Sequence, residues 1–259
     1  MKPTLIAQLD QQTRELNTLE SLRWISEAYG SDVAFSLGFG KEGMVIADMI
    51  FRHHIPIRVF TIDTGRLFKE TQELFYQVAA RYKQPIELYF PNGQEVEFMV
   101  NTKGPMSFYD SLENRKECCN IRKVRPLKRA LAGSKVWVTG LRADQSDFRK
   151  NFRRFEWHEG HQLVKFNPLL SWTKEEVDAY LKAHQVPYNR LHDKGFPSIG
   201  CAPCTRAVQA GEDERAGRWW WEQSQKECGL HASYFQPTEQ QAPTSTAVTL
   251  TSACKRKCG

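Results

Sequence analysis

Asp32-Val33-Ala34-Phe35-Ser36-Leu37-Gly38-Phe39-Gly40-Lys41-Glu42-Gly43 reads as a short apolar strand running into a glycine-rich turn. Beyond it, Val45, Ile46, Met49 and Ile50 recur on one face of a helix. Strand, glycine turn and helix in that order make an anion cradle. Glycine lets the backbone come close, and the first N–H groups of the helix point at whatever occupies the turn. A second apolar strand, Ile57-Arg58-Val59-Phe60-Thr61-Ile62, ends at Asp63, twenty positions past Gly43. That spacing imitates a dinucleotide-binding fingerprint built on Gly38, Gly40, Gly43 and Asp63, although a tight strand–helix corner has the same letters.

The same alternation extends outward. On the N-terminal side, Leu19, Leu22 and Ile25 mark a helix that Asn17 or Thr18 caps and Gly30 ends. On the C-terminal side, Leu67, Thr71, Leu74, Phe75, Val78 and Tyr82 form an amphipathic helix, and Ile86 to Phe90 a third strand. A helix over about 120–131 follows the pair Cys118-Cys119, then a fourth strand, Lys135 to Gly140. Such alternation predicts an α/β fold: a mostly parallel open sheet with helices on both faces, Rossmann-like. Ligands of such sheets sit beyond the strands' carboxyl ends. Those ends are Ser36 to Gly43, Asp63-Thr64-Gly65, and Gly140 to Ser146, where Arg142 lies and from which the chain runs to Arg149 and Lys150. Further on, Thr173 to Glu176 is a capping box. Glu212-Asp213-Glu214 reads as the acidic start of a helix that would put Arg215 and Arg218 on one face, ahead of Trp219-Trp220-Trp221.

The chain has 259 residues, a net charge of +6 and seven cysteines. An odd number of clustered cysteines suits a reducing compartment better than a disulfide framework. With no signal-like start and no membrane-length apolar run, a cytoplasmic protein without a membrane partner is expected. From Gln236 the composition turns to Thr, Gln, Ser, Pro and Ala, which cannot bury a core. One domain over 1–235 and a tail over 236–259, ending in Cys254-Lys255-Arg256-Lys257-Cys258, are expected.

Cys201-Ala202-Pro203-Cys204 brings two thiols to one point, and Cys118-Cys119 is the other close pair in the body of the chain. Four thiolates hold zinc or an iron–sulfur cluster, and their number does not decide between the two. The adjacent pair in a helical segment favours a cluster over two turn-like zinc knuckles. Basic residues from Arg115 to Arg129 surround the first pair. They read as a solvated helix face, as a nucleic-acid footprint, or as cations for a negative thiolate site with a phosphorylated substrate beside it.

Together these stretches resemble the assimilatory sulfonucleotide reductases, in their iron–sulfur adenylyl-sulfate (APS) reductase branch. The resemblance covers about residues 20–235. It is carried by Cys118-Cys119-Asn120-Ile121-Arg122-Lys123-Val124-Arg125-Pro126-Leu127, Ile62-Asp63-Thr64-Gly65-Arg66-Leu67-Phe68, Cys201-Ala202-Pro203-Cys204 and Glu227-Cys228-Gly229-Leu230-His231. It implies a fold of the PP-loop type and one [4Fe–4S] cluster on Cys118, Cys119, Cys201 and Cys204. It also implies a nucleophile at Cys228 that attacks the phosphosulfate sulfur, expels AMP and carries an S-sulfocysteine until thioredoxin or glutaredoxin releases sulfite. Lys123, Arg215, Arg218 and His231 match positions around the phosphosulfate. Ser36, Gly38, Gly40, Asp63, Thr64, Gly65 and Arg142 are the further substrate-binding positions. The substrate is APS, with its 3′-phosphorylated form PAPS as the alternative; a nucleic-acid partner is not expected, and a homo-oligomer is allowed. The glycine loop departs from the family's usual wording, and the chain lacks the S-G-G-x-D-S run of the ATP-cleaving relatives. A dinucleotide dehydrogenase leaves the four cysteines unexplained, and a nucleic-acid-binding iron–sulfur module leaves Cys228 and His231 without a task.

Overall fold

The computed structural model describes residues 2–222. Cys228 and His231, the expected boundary at 235 and the tail with Cys254 and Cys258 lie outside the described residues. The chain opens with α1 (Lys2–Gln12) and α2 (Thr18–Tyr29), the latter started by a capping box between Asn17 and Glu20. Then come β1 (Val33–Ser36), α3 (Lys41–Arg52), β2 (Arg58–Ile62), α4 (Lys69–Tyr82), β3 (Glu87–Tyr89) and α5 (Gly93–Lys103). The second half contains α6 (Leu112–Cys119), α7 (Arg125–Ala130), β4 (Val136–Val138), β5 (Phe155–His158), β6 (Leu163–Phe166) and α8 (Lys174–Ala183).

One six-stranded sheet runs in the order β3-β2-β1-β4-β6-β5. All neighbours are parallel except β5, which pairs antiparallel with β6. The register places Phe35 beside both Val59 and Val138. Successive strand residues face opposite sides, so the two faces have separate cores. Val33, Phe35, Val59, Val136, Val138, Val164 and Phe166 pack under α2, α3, α4 and α8, while Ala34, Phe60, Trp137 and Leu163 pack against α7. Full burial of a side chain such as Phe35 is worth roughly 1.5–3 kcal/mol. The sheet is therefore held by apolar burial on both sides, and its carboxyl edge is left for polar loops.

Three local readings are corrected. β5 and β6 were not expected, because Lys165 interrupts the run Leu163-Val164-Lys165-Phe166 with a charge. That lysine is buried all the same, its ammonium on Glu156 at 2.6 Å and over the Phe152 ring. The cysteine helix starts earlier than expected, at the Ser111 cap, and places both thiols in its last turn. A π-helical turn, Asn120–Val124, leads from there into α7. Finally, residues 212–218 form turns, not a helix. Glu212 ties back to Arg206 through both carboxylate oxygens and accepts from the Gln209 N–H. Asp213 accepts from the Arg215 N–H. Gly217 is required there, since a Cβ would lie 2.2 Å from the Arg206 carbonyl oxygen. Among the described residues no helix is long and apolar enough to cross a membrane.

Candidate active site

A cavity of about 270 Å³ opens beyond the carboxyl ends of β1, β2 and β4. One side is apolar, from Phe60, Ile62, Leu127 and Trp137. The other is the glycine turn, with Ser36, Gly38, Gly40 and Gly43 on its wall. Gly40 is the N-cap residue of α3 and supplies no side-chain cap, so the first N–H groups of a twelve-residue helix face the turn, the arrangement that holds anions. Phe39 breaks the usual loop wording for a packing reason: at φ +56° its ring is buried against Phe75, edge to face at 5.8 Å. Ser36 Oγ accepts from Trp137 Nε1 at 2.8 Å, which fixes the hydroxyl at the turn. At the end of β4, a Cβ on Gly140 would lie 3.1 Å from the Gly43 nitrogen, tight enough that a larger residue would push strand end and helix start apart by a few tenths of an ångström.

Cations converge on the same cavity. Arg215 and Arg218 line it, and the Nη1 of each donates to Ser198 Oγ, at 3.3 and 3.2 Å. The expected shared helix face is absent; a serine brings the two guanidiniums together instead. Arg218 is buried over the Trp219 ring, and its Nε has no hydrogen-bond partner among the described residues. Lys123 and Arg149 complete the basic wall. The sequence pattern left Ser198 out of the site and placed Arg149 only on a polar loop.

Asp63, Gly65 and Arg142 lie off this cavity wall. Asp63 accepts from the Gly65 N–H at 2.8 Å, closing a turn in which Gly65 has φ +70°. Arg122 donates to the Thr64 carbonyl at 2.7 Å, and Thr64 lines the cavity. Arg142, expected to bind substrate, is engaged with carboxylates: Glu42 at 2.9 Å, Glu214 at 3.5 Å and Asp144. It braces the first turn of α3 against the Arg215 loop, and Glu42 and Glu214 line the cavity in its place.

Cys118, Cys119, Cys201 and Cys204 are all buried and line a second, smaller cavity together. Four basic side chains, Arg66, Arg115, Arg122 and Lys123, share its wall. Thr64 Oγ1 lies 3.3 Å from Cys201 Sγ. Burial pushes the Cys118 thiol up, against Arg122 and Arg66, and pushes Cys204 up to about 12. Desolvated thiols of this kind stay protonated unless a strong Lewis acid takes them as ligands. Among the described residues, no three His, Cys, Asp or Glu side chains stand close enough to hold a single metal ion. Lys123 and Cys201 face both cavities, so the thiol site and the anion site share a wall.

The sequence pattern of the phosphoadenosine phosphosulfate reductase domain matches residues 32–207. An adenosine 5′-phosphosulfate reductase of Allochromatium vinosum is 48% identical over 231 residues, 89% of this chain and 90% of that protein. One of Agrobacterium fabrum is 40% identical over 233 residues, covering 90% and 89%. Among solved structures, a phosphoadenylyl-sulfate reductase from Candida auris in a phosphate complex superposes with a TM-score of 0.67 at 32% identity, over 78% of this chain and 96% of that one. An FMN adenylyltransferase from Candida glabrata, with a TM-score of 0.51 at 16% identity over 76% of this chain and 66% of that one, shares the fold alone.

Proposed function

Because this chain belongs to the phosphoadenosine phosphosulfate reductase family, we propose that it reduces adenosine 5′-phosphosulfate to sulfite and AMP in sulfate assimilation, in the cytoplasm. The observation that carries this reading is the meeting of Arg215 and Arg218 on Ser198, beside an uncapped helix start and next to a wall of four thiols. Planar guanidiniums suit the oxygens of a phosphosulfate. The apolar half of the cavity, with Phe60 and Trp137, suits the adenine.

The Cys228 thiolate attacks the sulfate sulfur, the bond from that sulfur to the bridging phosphate oxygen breaks, and AMP leaves with the electron pair. Lys123, Arg215 and Arg218 offset the repulsion between thiolate and anion and the charge left on the phosphate. A dithiol of the thioredoxin or glutaredoxin class then attacks the Cys228 sulfur. Sulfite leaves with the S–S pair, and the resulting mixed disulfide is cleared by the second thiol of the donor. His231, which the resemblance places around the phosphosulfate, is assigned to the same site.

The donor set fits a [4Fe–4S] group on Cys118, Cys119, Cys201 and Cys204: four buried soft ligands line one space, with cations around it to balance negative charge. When bound, that group would keep the four thiolates deprotonated and set the charge next to Lys123. PAPS is the second reading. On the cavity wall Lys123, Arg149, Arg215 and Arg218 outnumber Glu42 and Glu214, a charge balance that also suits an added phosphate.

Enzyme incubated with APS and no reductant should gain about 80 Da, one SO₃ group, on Cys228. It should contain about four irons per chain, and Cys204→Ser should lose them. A Cys228→Ser protein that still acquires the adduct refutes the assignment, and one stoichiometric zinc with full activity refutes the cluster.

A further inference from the structure

Arg115 is a buried cation that the sulfur-transfer chemistry leaves without a task. It stands on α6, one turn before Cys119, and its guanidinium makes three contacts. Nε and Nη2 donate to the two carboxylate oxygens of Glu222, each at 2.8 Å. The group also hydrogen-bonds Cys119, and it lies over the Trp219 ring, 4.8 Å from the centroid. The two side chains of the pair are only 5% and 8% exposed. Burying two charges brings little net stability; what a bidentate pair supplies is one fixed distance and one fixed direction.

The direction matters because the chain runs on from Glu222 to the reactive thiol. Cys228 is six residues beyond Glu222, and six extended residues span at most about 20 Å. Wherever the thiol goes, Glu222 is the root from which it is reached. We propose that Arg115 and Glu222 are positioning residues for sulfur transfer: the pair registers the departure point of the Cys228 segment against the helix that carries Cys118 and Cys119. This rests on Cys228 being the nucleophile, as proposed above. It gives filling of the four-thiol site a consequence at the nucleophile that needs no electron flow through that site. Arg115 touches one of the four thiols and also holds the root of the reactive segment.

The experiment uses full-length enzyme as purified, with Glu222→Gln and Arg115→Lys. The first keeps the shape and removes the charge; the second keeps the charge and loses the fork. Four quantities are read: iron content, AMP affinity by equilibrium titration, the single-turnover rate of S-sulfonation at saturating APS, and the rate of tryptic cleavage after Lys226. Glu222→Gln is expected to slow S-sulfonation by about tenfold or more with AMP affinity within about twofold and iron retained, the split that a misplaced nucleophile produces. Cleavage after Lys226 should accelerate at the same time. Arg115→Lys should slow transfer by about threefold or more, and it carries the test if Glu222→Gln is insoluble. Transfer at the wild-type rate in both variants overturns the proposal. So does a loss that merely tracks AMP affinity or iron. A wild-type protein that forms no adduct at Cys228 instead refutes the reading of the nucleophile, and this inference falls with it.

Discussion

Replacing Gly200 with alanine adds one methyl group where the main cavity meets the thiol turn. The backbone there is not in the left-handed region, so alanine meets no conformational strain; the conflict is with a side chain. The new Cβ would stand 2.2 Å from Arg218 Nη2 and 2.6 Å from Cζ, where ordinary contact begins at 3.4 Å. The guanidinium must therefore retreat by about 1 Å or more in a close-packed interior. That retreat breaks its 3.2 Å bond to Ser198 Oγ and disturbs its stacking on Trp219. A shift of this size in a positioning group costs up to about 10²-fold in rate. The expected loss in kcat/KM for APS is about 10- to 100-fold, equivalent to about 1.4–2.7 kcal/mol. The assay is sulfite release over a range of APS concentrations with a thiol donor present. Gly93→Ala is the control, because a Cβ there meets nothing within 4 Å. A Gly200→Ala enzyme that keeps its iron and shows wild-type kcat/KM would refute the placement of Arg218 on the substrate.

Two further outcomes concern stability. Asp48 is fully buried and accepts from Arg52, Tyr82 and Tyr180. Burial alone would raise its pKa, yet the hydrogen bonds from these three partners hold it below the usual 3.8. Asp48→Ala should cost about 2–6 kcal/mol in urea unfolding, since two tyrosine hydroxyls lose their acceptor at about 1–3 kcal/mol each; a loss below about 1 kcal/mol contradicts this. With the folded value depressed, the contribution is complete above 3.8 and is lost as pH falls through the folded value. The gap between wild type and variant should thus be flat from about pH 5 to 8 and close at lower pH. His161 stacks on His158 at 4.7 Å with its edge toward Trp137, and burial pushes its pKa from 6.5 down to about 4. The unfolded chain takes up a proton that the folded chain refuses, so melting temperature should fall as pH drops from 6.5 toward 4. His161→Phe should remove part of that slope; parallel slopes for the two proteins would count against the buried neutral imidazole.

β1 and β4 were legible because they are buried on both faces and read as apolar runs; β2 shows the same run after Arg58, and β3 was legible from the letters Ile86 to Phe90 although Glu87 and Leu88 are exposed. β5 and β6 were not, since a single buried lysine that finds its carboxylate across the hairpin looks, in sequence, like a surface position. The four thiols could be grouped from the rarity of cysteine pairs, and the structure sets all four around one cavity. Arg215 and Arg218 were paired for the wrong reason. Their three-residue spacing suggested a helix, whereas they are gathered by Ser198 in a turned segment that needs Gly217. Arg142 stands at a strand's carboxyl end, a position that suits a ligand contact, and nothing in the letters shows that Glu42, Glu214 and Asp144 hold it. Long-range ion pairs between loops have no periodicity, and that is where sequence reading stopped.

The four thiols belong to an apolar lobe of their own. Met99, Phe108, Ile121 and Trp219 pack with them, and none of these residues takes part in either core of the sheet. Two lobes that border one another without sharing core residues can be repacked separately. The cysteines could be replaced as a set by side chains of like volume while the sheet stands unchanged, although Cys201 also lines the main cavity. A chain that gave up the thiols in this way would still have to keep or replace what Lys123 and Cys201 supply to the main cavity.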